Sequence, residues 1–217
     1  MYLSRVELNP YRRETIRALG SPQILHAAVM SSFNSFDGAD SDRILWRVDR
    51  VGPSTYILVQ SKRRPDFHHM VEQFGRPESG CLGETIDYDD FLSGLKTGES
   101  LRFRLQANPI RNVSSLGDGP RGKVVAHVTV EQQRNWLVER SLRLGFELPG
   151  SDGSRCFDVV SRDCLRFRRG NGNVTLNTAT FEGILTVKDA DVFRNTLICG
   201  IGRAKAYGCG LMTVIRA

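Results

Sequence analysis

His26 is the side chain in this sequence best placed to transfer a proton. Ser21 and Pro22 predict the start of a helix running to about Phe33, since serine is favoured at the N-cap and proline at the first helical position. The apolar stripe of this helix comprises Ile24, Leu25, Ala28 and Val29. A helical wheel puts His26 roughly 130° from the centre of that stripe, so we expect its imidazole to face solvent or a groove near the positive end of the helix. There it could take a proton from a hydroxyl or return one; an idle surface histidine is the alternative.

Residues 200–210 form a second candidate, a glycine-rich segment with four glycines and two cations. Its members of interest are Gly200, Gly202, Gly208, Gly210, Arg203 and Lys205. Such a backbone can approach a phosphodiester closely. It is not a nucleotide P-loop, because the Gly-Lys-Ser/Thr ending is missing and the segment lies between a predicted helix and a strand. A glycine-rich turn needed only for backbone geometry is the alternative.

Alternating arginines form the third candidate. Arg166, Arg168 and Arg169 precede a Gly-Asn-Gly turn, which predicts a hairpin with a basic tip. Arg104 stands in a similar alternation within residues 101–105. The planar guanidinium suits phosphate contacts because it pairs with two oxygens at once. A plain solvated hairpin or sheet face is the competing interpretation.

The remaining titratable residues are weaker candidates for catalysis or metal binding. His68 and His69 lie in an unassigned polar segment, and His127 lies in a predicted strand. The acidic clusters Asp37, Asp40, Asp42 and Asp87, Asp89, Asp90 sit at probable turns or helix starts, where aspartate is favoured for capping. The five cysteines, Cys81, Cys156, Cys164, Cys199 and Cys209, form no C-x-x-C pair. We therefore expect chemistry without a metal or other cofactor, and reduced thiols.

Composition restricts the class of protein. The chain has 217 residues, 40% hydrophobic content and a net charge of +6, values that suit a globular protein of one or two domains. It has no apolar run long enough to span a bilayer, and its N-terminus does not look like a signal peptide. We expect a cytoplasmic protein with no membrane partner.

Two similar halves must position these residues. Strand-like and helical patterns follow the order β-α-β-β-α-β twice, which predicts an α+β fold of two tandem ferredoxin-like domains, residues 1–110 and 111–217. In the first half a strand at 2–8, the helix carrying His26, a hairpin at 44–61, a helix at 87–95 and a strand at 100–107 supply the pattern. Residues 108–122 read as a linker or loop. In the second half we expect separate strands at 156–161 and 164–169.

The C-terminal segment from Gly200 to Met212 resembles the glycine-rich signature of CRISPR repeat-processing ribonucleases. Phe103-Arg-Leu-Gln-Ala-Asn-Pro-Ile110, Phe181-Glu-Gly-Ile-Leu-Thr-Val-Lys-Asp-Ala190 and the N-terminal residues 1–6 resemble the CasE branch, the RNA-processing subunit of type I-E Cascade. The resemblance covers nearly the whole chain. It implies tandem ferredoxin-like domains and, as partners, CRISPR repeat RNA and the other Cascade subunits.

The resemblance also implies an activity. Members bind the stem-loop of the repeat transcript and cut at the 3′ base of the stem without a metal. The 2′-hydroxyl attacks, a 2′,3′-cyclic phosphate forms, and the mature guide stays bound. His26 matches the catalytic histidine, and Arg168 or Arg166 is the candidate for stabilising the phosphorane.

The expected RNA contacts are Arg166, Arg169, Arg203, Lys205, Arg104 and Lys123, with the backbone of Gly200, Gly202, Gly208 and Gly210. One position departs from the family pattern. Some members carry a tyrosine one helical turn before the histidine, where this chain has Gln23. Its amide could position a hydroxyl or phosphate oxygen, but it cannot act as an acid or base.

Two other functions remain open at this level. The chain could be a non-cleaving RNA-binding subunit of the same assembly, which a buried His26 would favour. It could also be a small-molecule enzyme that holds a phosphate ligand in the glycine-rich segment, although it lacks a cofactor fingerprint.

Overall fold

A computed structural model of the chain describes residues 1–33, 43–80, 82–113, 123–149, 156–170 and 172–216. It is a mixed α+β structure, which confirms the predicted class. The elements of the first half are β1 (Tyr2–Leu8), α1 (Arg13–Leu19), α2 (Pro22–Met30), β2 (Leu45–Val51), β3 (Ser54–Ser61), α3 (His68–Phe74), β4 (Glu84–Asp87) and α4 (Asp89–Ser93). Strands β1 to β4 form an antiparallel sheet in the order β2-β3-β1-β4.

The elements of the second half are β5 (Ser100–Ala107), β6 (Ile110–Val113), β7 (Lys123–Ala126), α5 (Val130–Ser141), β8 (Phe146–Glu147), β9 (Phe157–Arg169), β10 (Gly172–Val187), α6 (Ala190–Cys199) and β11 (Met212–Arg216). The second sheet has the order β11-β5-β10-β8, and β9 also pairs with β10. No helix in the described parts of the chain is long and apolar enough to cross a membrane.

The assignment of residues 100–107 to the first half is wrong. Strand β5 pairs with β10 and β11, and its alternate residues Leu101, Phe103 and Leu105 are buried in the second core. The fourth strand of the first sheet is instead the short β4, which pairs with β1. The physical reason is that β4 occupies the edge beside β1, while the apolar face of β5 fits the core formed with α5 and α6.

Two local expectations are also corrected. The segment expected to be a linker contains β6, which pairs with β7, whereas its residues 114–122 lie outside the described parts. The two strands expected at 156–161 and 164–169 are one continuous strand, β9, whose register with β10 shifts once between Thr180 and Phe181. A single bulge absorbs the irregularity, so the strand does not break. Strands β9 and β10 therefore form one long antiparallel hairpin.

The two halves meet through buried polar contacts. Arg47 on β2 is only 1% exposed and directs all five of its N–H groups to acceptors. It pairs with Asp49 at 2.7 and 2.8 Å and donates to the carbonyls of Arg104 and Leu211 and to the Thr213 hydroxyl. The Gln60 amide donates to the carbonyl of Leu197 at 2.8 Å. Apart from the Arg47–Asp49 pair, which lies within β2, these contacts join the first sheet to the second half.

Candidate functional site

Helix α2 carries His26 and packs against two parts of the second half, β9 and the short turn Lys205–Tyr207. Pro22 occupies the first turn, and Pro22, Leu25, Ala28 and Val29 are buried, as the apolar stripe predicts. Ser21 stands at the N-cap in an extended conformation, but its hydroxyl makes no capping hydrogen bond. The far end of the helix is fastened by His69 of α3, whose Nε2 lies 2.9 Å from the Ala28 carbonyl oxygen. The helix is thus held by packing and by α3.

His26 is half-buried, and its Nδ1 atom is buried without a hydrogen-bond partner among the described residues. Helix α2 contacts β9 and the short 3-10 turn Lys205–Tyr207 of the glycine-rich segment. Burial lowers the pKa of His26 below 6.5, and the positive charge of Arg169 lowers it further. The His26 side chain is therefore not fully exposed to solvent. The neutral imidazole that prevails at neutral pH can accept a proton.

The alternation of β9 decides which arginine affects this histidine. Phe167 is buried, and its ring meets the ring of Tyr207 edge-on with centroids 4.9 Å apart. Arg169 lies on the same face of the strand as Phe167, because side chains two apart share a face. Arg166 and Arg168 lie on the opposite face and are exposed. Among these three arginines, Arg169 is the one whose charge lowers the pKa of His26, and the catalytic role expected of Arg168 or Arg166 stays a prediction.

The glycine-rich segment connects α6 to β11 and is shaped largely by internal packing. A Cβ added to Gly208 would lie 2.9 Å from the Trp46 ring, and one on Gly210 would lie 2.7 Å from the Ile201 carbonyl oxygen. Both residues are buried and have φ values of +79° and +92°, a region that favours glycine. The backbone-geometry alternative thus accounts for these two glycines. A Cβ on Gly200 would meet Leu45 at 2.8 Å.

The cations of the segment have different surroundings. Gly202 and Arg203 are exposed, as an RNA contact requires. Lys205 donates from Nζ to the Cys199 carbonyl at 2.8 Å, at the C-terminus of α6. Burial and the nearby Arg43 lower the pKa of Lys205. The structure therefore gives Lys205 a helix-capping contact in addition to any contact with RNA.

Arg104 has carboxylate partners within the protein. The Arg104 guanidinium pairs with Asp49 at 3.1 Å and with Glu182, so two carboxylates occupy the fork that was expected to hold phosphate. A contact of Arg104 with RNA stays a prediction. Lys123 begins β7, and only its backbone position is described. Gln23 is half-buried one turn before His26.

Tyr207 lies on the turn that contacts α2, a placement that the sequence did not predict. With Trp46, Leu25 and Leu165 it lines a cavity of about 290 Å³ between α2 and β9. Its phenol is a proton-bearing group on the turn that contacts α2. A tyrosine inside a segment of small residues was the available signal, but nothing local indicated that the turn packs against α2.

Several of the other titratable residues have partners within the protein. His68 Nδ1 lies 2.6 Å from Asp66, and Asp89 pairs with the N-terminal ammonium at 2.6 Å. Asp87 accepts a hydrogen bond from the Asp89 backbone N–H. No group of three or more His, Cys, Asp or Glu side chains in the described ranges could hold a metal ion. Asp37, Asp40, Asp42 and Cys81 lie outside those ranges.

Cys209 is the buried member of the free cysteines Cys156, Cys164, Cys199 and Cys209. Burial raises the pKa of its thiol to about 12, which keeps it protonated.

Comparison with known proteins shows the family. A family model described as "CRISPR associated protein" matches residues 1–216. The chain is 28% identical over 222 residues to the CRISPR-associated endoribonuclease Cse3 of Thermus thermophilus, covering 99% of both chains. It is 29% identical over 166 residues to the CRISPR system Cascade subunit CasE of Escherichia coli K12, covering 72% of this chain and 78% of that one.

A solved structure agrees with these relatives. The structure of Thermus thermophilus Cse3 bound to an RNA representing a pre-cleavage complex superposes with a TM-score of 0.81 at 28% identity, covering 99% of this chain and 98% of that one. The family match spans almost the whole sequence, and the fold agrees over the same length. This chain therefore belongs to the CRISPR-associated protein family, with Cse3 and CasE as its relatives.

Proposed function

We propose that this chain is a metal-independent endoribonuclease that binds the stem-loop of CRISPR repeat RNA and cuts at the 3′ base of the stem. The observation that carries the proposal is the placement of His26, which is kept neutral beside Arg169 and the arginine-bearing hairpin. The relatives support it, because Cse3 is named an endoribonuclease and its matching structure holds a pre-cleavage RNA. The mature guide RNA then stays bound, and the chain acts in the cytoplasm as a Cascade subunit.

The proposed reaction uses only groups of the protein and the RNA. The neutral imidazole of His26 accepts the proton of the 2′-hydroxyl as the 2′ oxygen bonds to phosphorus. The bond from phosphorus to the 5′ oxygen breaks, and the imidazolium returns the proton to that leaving oxygen. The products are a 2′,3′-cyclic phosphate and a 5′-hydroxyl. Arg169 offers its guanidinium to the charge that develops on the phosphorane.

The rest of the binding surface follows from the two faces of β9. Arg166 and Arg168 point away from His26 and are free to contact the backbone of the RNA stem, because both are exposed. Gln23 positions a hydroxyl or phosphate oxygen one turn before His26. Arg203, exposed in the glycine-rich segment, contacts RNA outside the stem.

We also infer that each half is a ferredoxin-like unit, with the boundary between β4 and β5. The element order β-α-β-β-α-β is met in the first half by β1 to β4 with α2 and α3. In the second half it is met by β5, α5, the β9–β10 hairpin, α6 and β11. The strand orders support this, because each sheet places its last strand beside its first. The domains are then about 1–87 and 100–217, rather than 1–110 and 111–217.

The test incubates the native chain and its His26→Ala variant with a labelled hairpin-repeat RNA in excess EDTA. A single cut at the 3′ base of the stem, a cyclic phosphate on the product, and loss of cutting in the variant are expected. RNA affinity should be nearly unchanged, because the imidazole contributes one contact among many. His68→Ala is the matched control, since His68 is exposed and pairs with Asp66.

Two results would contradict the proposal. Tight binding without any cut by the native chain would favour the alternative of a non-cleaving RNA-binding subunit. Cutting that EDTA abolishes would overturn the metal-independent mechanism.

A further inference from the structure

A cationic groove lies in the C-terminal half, apart from the site of His26. It has a volume of about 300 Å³ and is lined by Asn108, Arg111, Asn112, Trp136, Arg140 and Arg203, among others. Arg111 and Arg203 are exposed, and Arg111, Arg140 and Arg203 lie on separate segments of the chain. Three cations that are distant in sequence therefore converge on one groove.

Arg140 is held in place within this groove. Its guanidinium lies over the Trp136 ring at 4.7 Å from the centroid and donates to the Trp136 carbonyl oxygen at 2.7 Å. The side chain is about one-quarter exposed and also lies 3.6 Å from Glu139. A guanidinium fixed on an aromatic face loses little freedom when it binds an anion.

The positive charge of the groove exceeds what the neighbouring carboxylate balances. Burial lowers the pKa of His127, and the charges of Arg111 and Arg140 lower it further. Burial and the charge of Arg143 lower the pKa of Arg140, while Glu139 opposes both shifts. A field of this sign attracts an anion.

The glycine-rich segment connects this groove to the site of His26. Gly202 and Arg203 line the groove, while Tyr207 and Gly208, a few residues later, line the cavity beside α2. A strand of RNA leaving the site of His26 along this segment would reach the cationic groove.

We propose that this groove binds the single-stranded RNA that flanks the repeat stem. The inference rests on the proposed function and adds a second contact region to it. A volume of about 300 Å³ suits one or two nucleotides and is far too small for a duplex. The asparagine amides can pair with base edges, and arginines can hold phosphates, which is the way that proteins recognise unpaired RNA.

The test compares two RNAs, a blunt repeat hairpin and the same hairpin with about eight unpaired nucleotides on each side. Binding is measured by fluorescence anisotropy over a series of salt concentrations, in the His26→Ala background so that no RNA is cut. The variant Arg111→Ala/Arg203→Ala removes two exposed cations of the groove and leaves the stacked Arg140 intact.

The matched control is Lys96→Ala/Arg102→Ala, which removes the same charge. Both control residues are exposed, and neither lines this groove.

The groove variant should bind the flanked RNA roughly tenfold more weakly at physiological salt and lower its salt slope by about 1.4, since two phosphate contacts on a single strand are lost. Its affinity for the blunt hairpin should match that of the control. Equal weakening for both RNAs would overturn the proposal and assign the groove to the stem. Unchanged binding of both RNAs would overturn it too and leave an acidic protein surface as the occupant.

Failure of the proposed function is distinguishable from failure of this inference. If the parent chain binds no hairpin at all, both the proposed function and this inference are overturned. If the parent binds and cuts the hairpin while the flanks add no affinity, only this inference falls.

Discussion

At the scale of single residues, Arg168 and Arg169 are neighbours in the chain but belong to different surfaces. Arg169 shares the face of Phe167 and acts on the charge state of His26, whereas Arg168 faces the other way. The two guanidinium groups thus lie on opposite faces of β9, because adjacent side chains of a strand point to opposite sides. The distinction can be measured on the protein without RNA.

We expect the pKa of His26 in the free protein to lie below 6.5, measured by following its ring protons in an NMR pH titration. Replacing Arg169 with alanine should raise this pKa toward 6.5, because a positive charge that opposes protonation is removed while burial remains. Arg168→Ala is the control and should leave the pKa in place. A larger pKa shift in the Arg168→Ala control would mean that Arg168, and not Arg169, interacts with His26.

Cleavage should respond to the same pair of variants. Arg169→Ala should reduce the single-turnover rate by roughly 10²–10³-fold, the usual cost of losing a group that stabilises developing charge. Arg168→Ala should mainly weaken RNA binding and flatten its salt dependence. Equal rates for the two variants at saturating RNA would argue against a catalytic role for Arg169.

The sign of the pH effect on stability follows from the same shift. Folding lowers the pKa of His26, so the unfolded chain binds a proton at this residue more readily than the folded chain does. Protonation of His26 therefore destabilises the fold as the pH falls through 6.5 toward the folded-state pKa and below. Above pH 6.5 both states are neutral at His26 and the contribution disappears. Acid therefore weakens both the fold and the proposed base.

At the scale of elements, the glycine-rich segment acts as a spacer that sets α2, α6 and β11 at fixed positions. Gly208 packs against Trp46. Gly210 donates its N–H to the Gln106 carbonyl oxygen of β5 at 2.7 Å. Side chains at these positions would push the turn carrying Tyr207 away from β2. Close packing, more than access to phosphate, explains these two glycines.

Gly208→Ala should lower the free energy of unfolding by about 2–4 kcal/mol in urea denaturation, because backbone strain at positive φ adds to a clash with the Trp46 ring. Gly52→Ala is the matched control, since Gly52 also has positive φ but has open space around its Cβ position. The control should lose only about 1–2 kcal/mol. Equal losses would mean that the ring moves aside at no cost.

At the scale of the whole molecule, both halves build the surroundings of His26. Helix α2 belongs to the first half, while β9 and the glycine-rich segment belong to the second. Arg47 holds this arrangement through contacts to Asp49, β5 and the residues around β11. Catalysis and domain packing are therefore coupled through one buried arginine.

Arg47→Met should destabilise the protein by about 3 kcal/mol, because it leaves buried carbonyl acceptors and part of Asp49 without a donor. Arg104 still pairs with Asp49, which limits the loss. The control Arg5→Met breaks an exposed pair with Glu84 and should cost less than about 1 kcal/mol. Urea unfolding measures both, and equal losses would remove Arg47 from the centre of the interface.

The sequence by itself determined the local elements and most of the chemistry. The apolar stripe of α2 marked its buried face, and the alternation of Arg166, Phe167 and Arg168 predicted a strand with one basic face. Proline, glycine and acidic residues marked the ends of helices, as Asp189 does by capping α6. These features are readable because they depend on side-chain periods of 3.6 and 2 within one segment.

Only the tertiary structure decided which segments meet. Strand β5 has one apolar face that suits either sheet, and its place in the second sheet depends on partners more than 70 residues away. The sequence predicted a phosphate contact for Arg104, and only the structure shows that its guanidinium pairs with Asp49 and Glu182. Arg169 became the arginine beside His26 because the buried face of β9 is the face turned toward α2. Such pairings depend on long-range packing, for which local periodicity carries no signal.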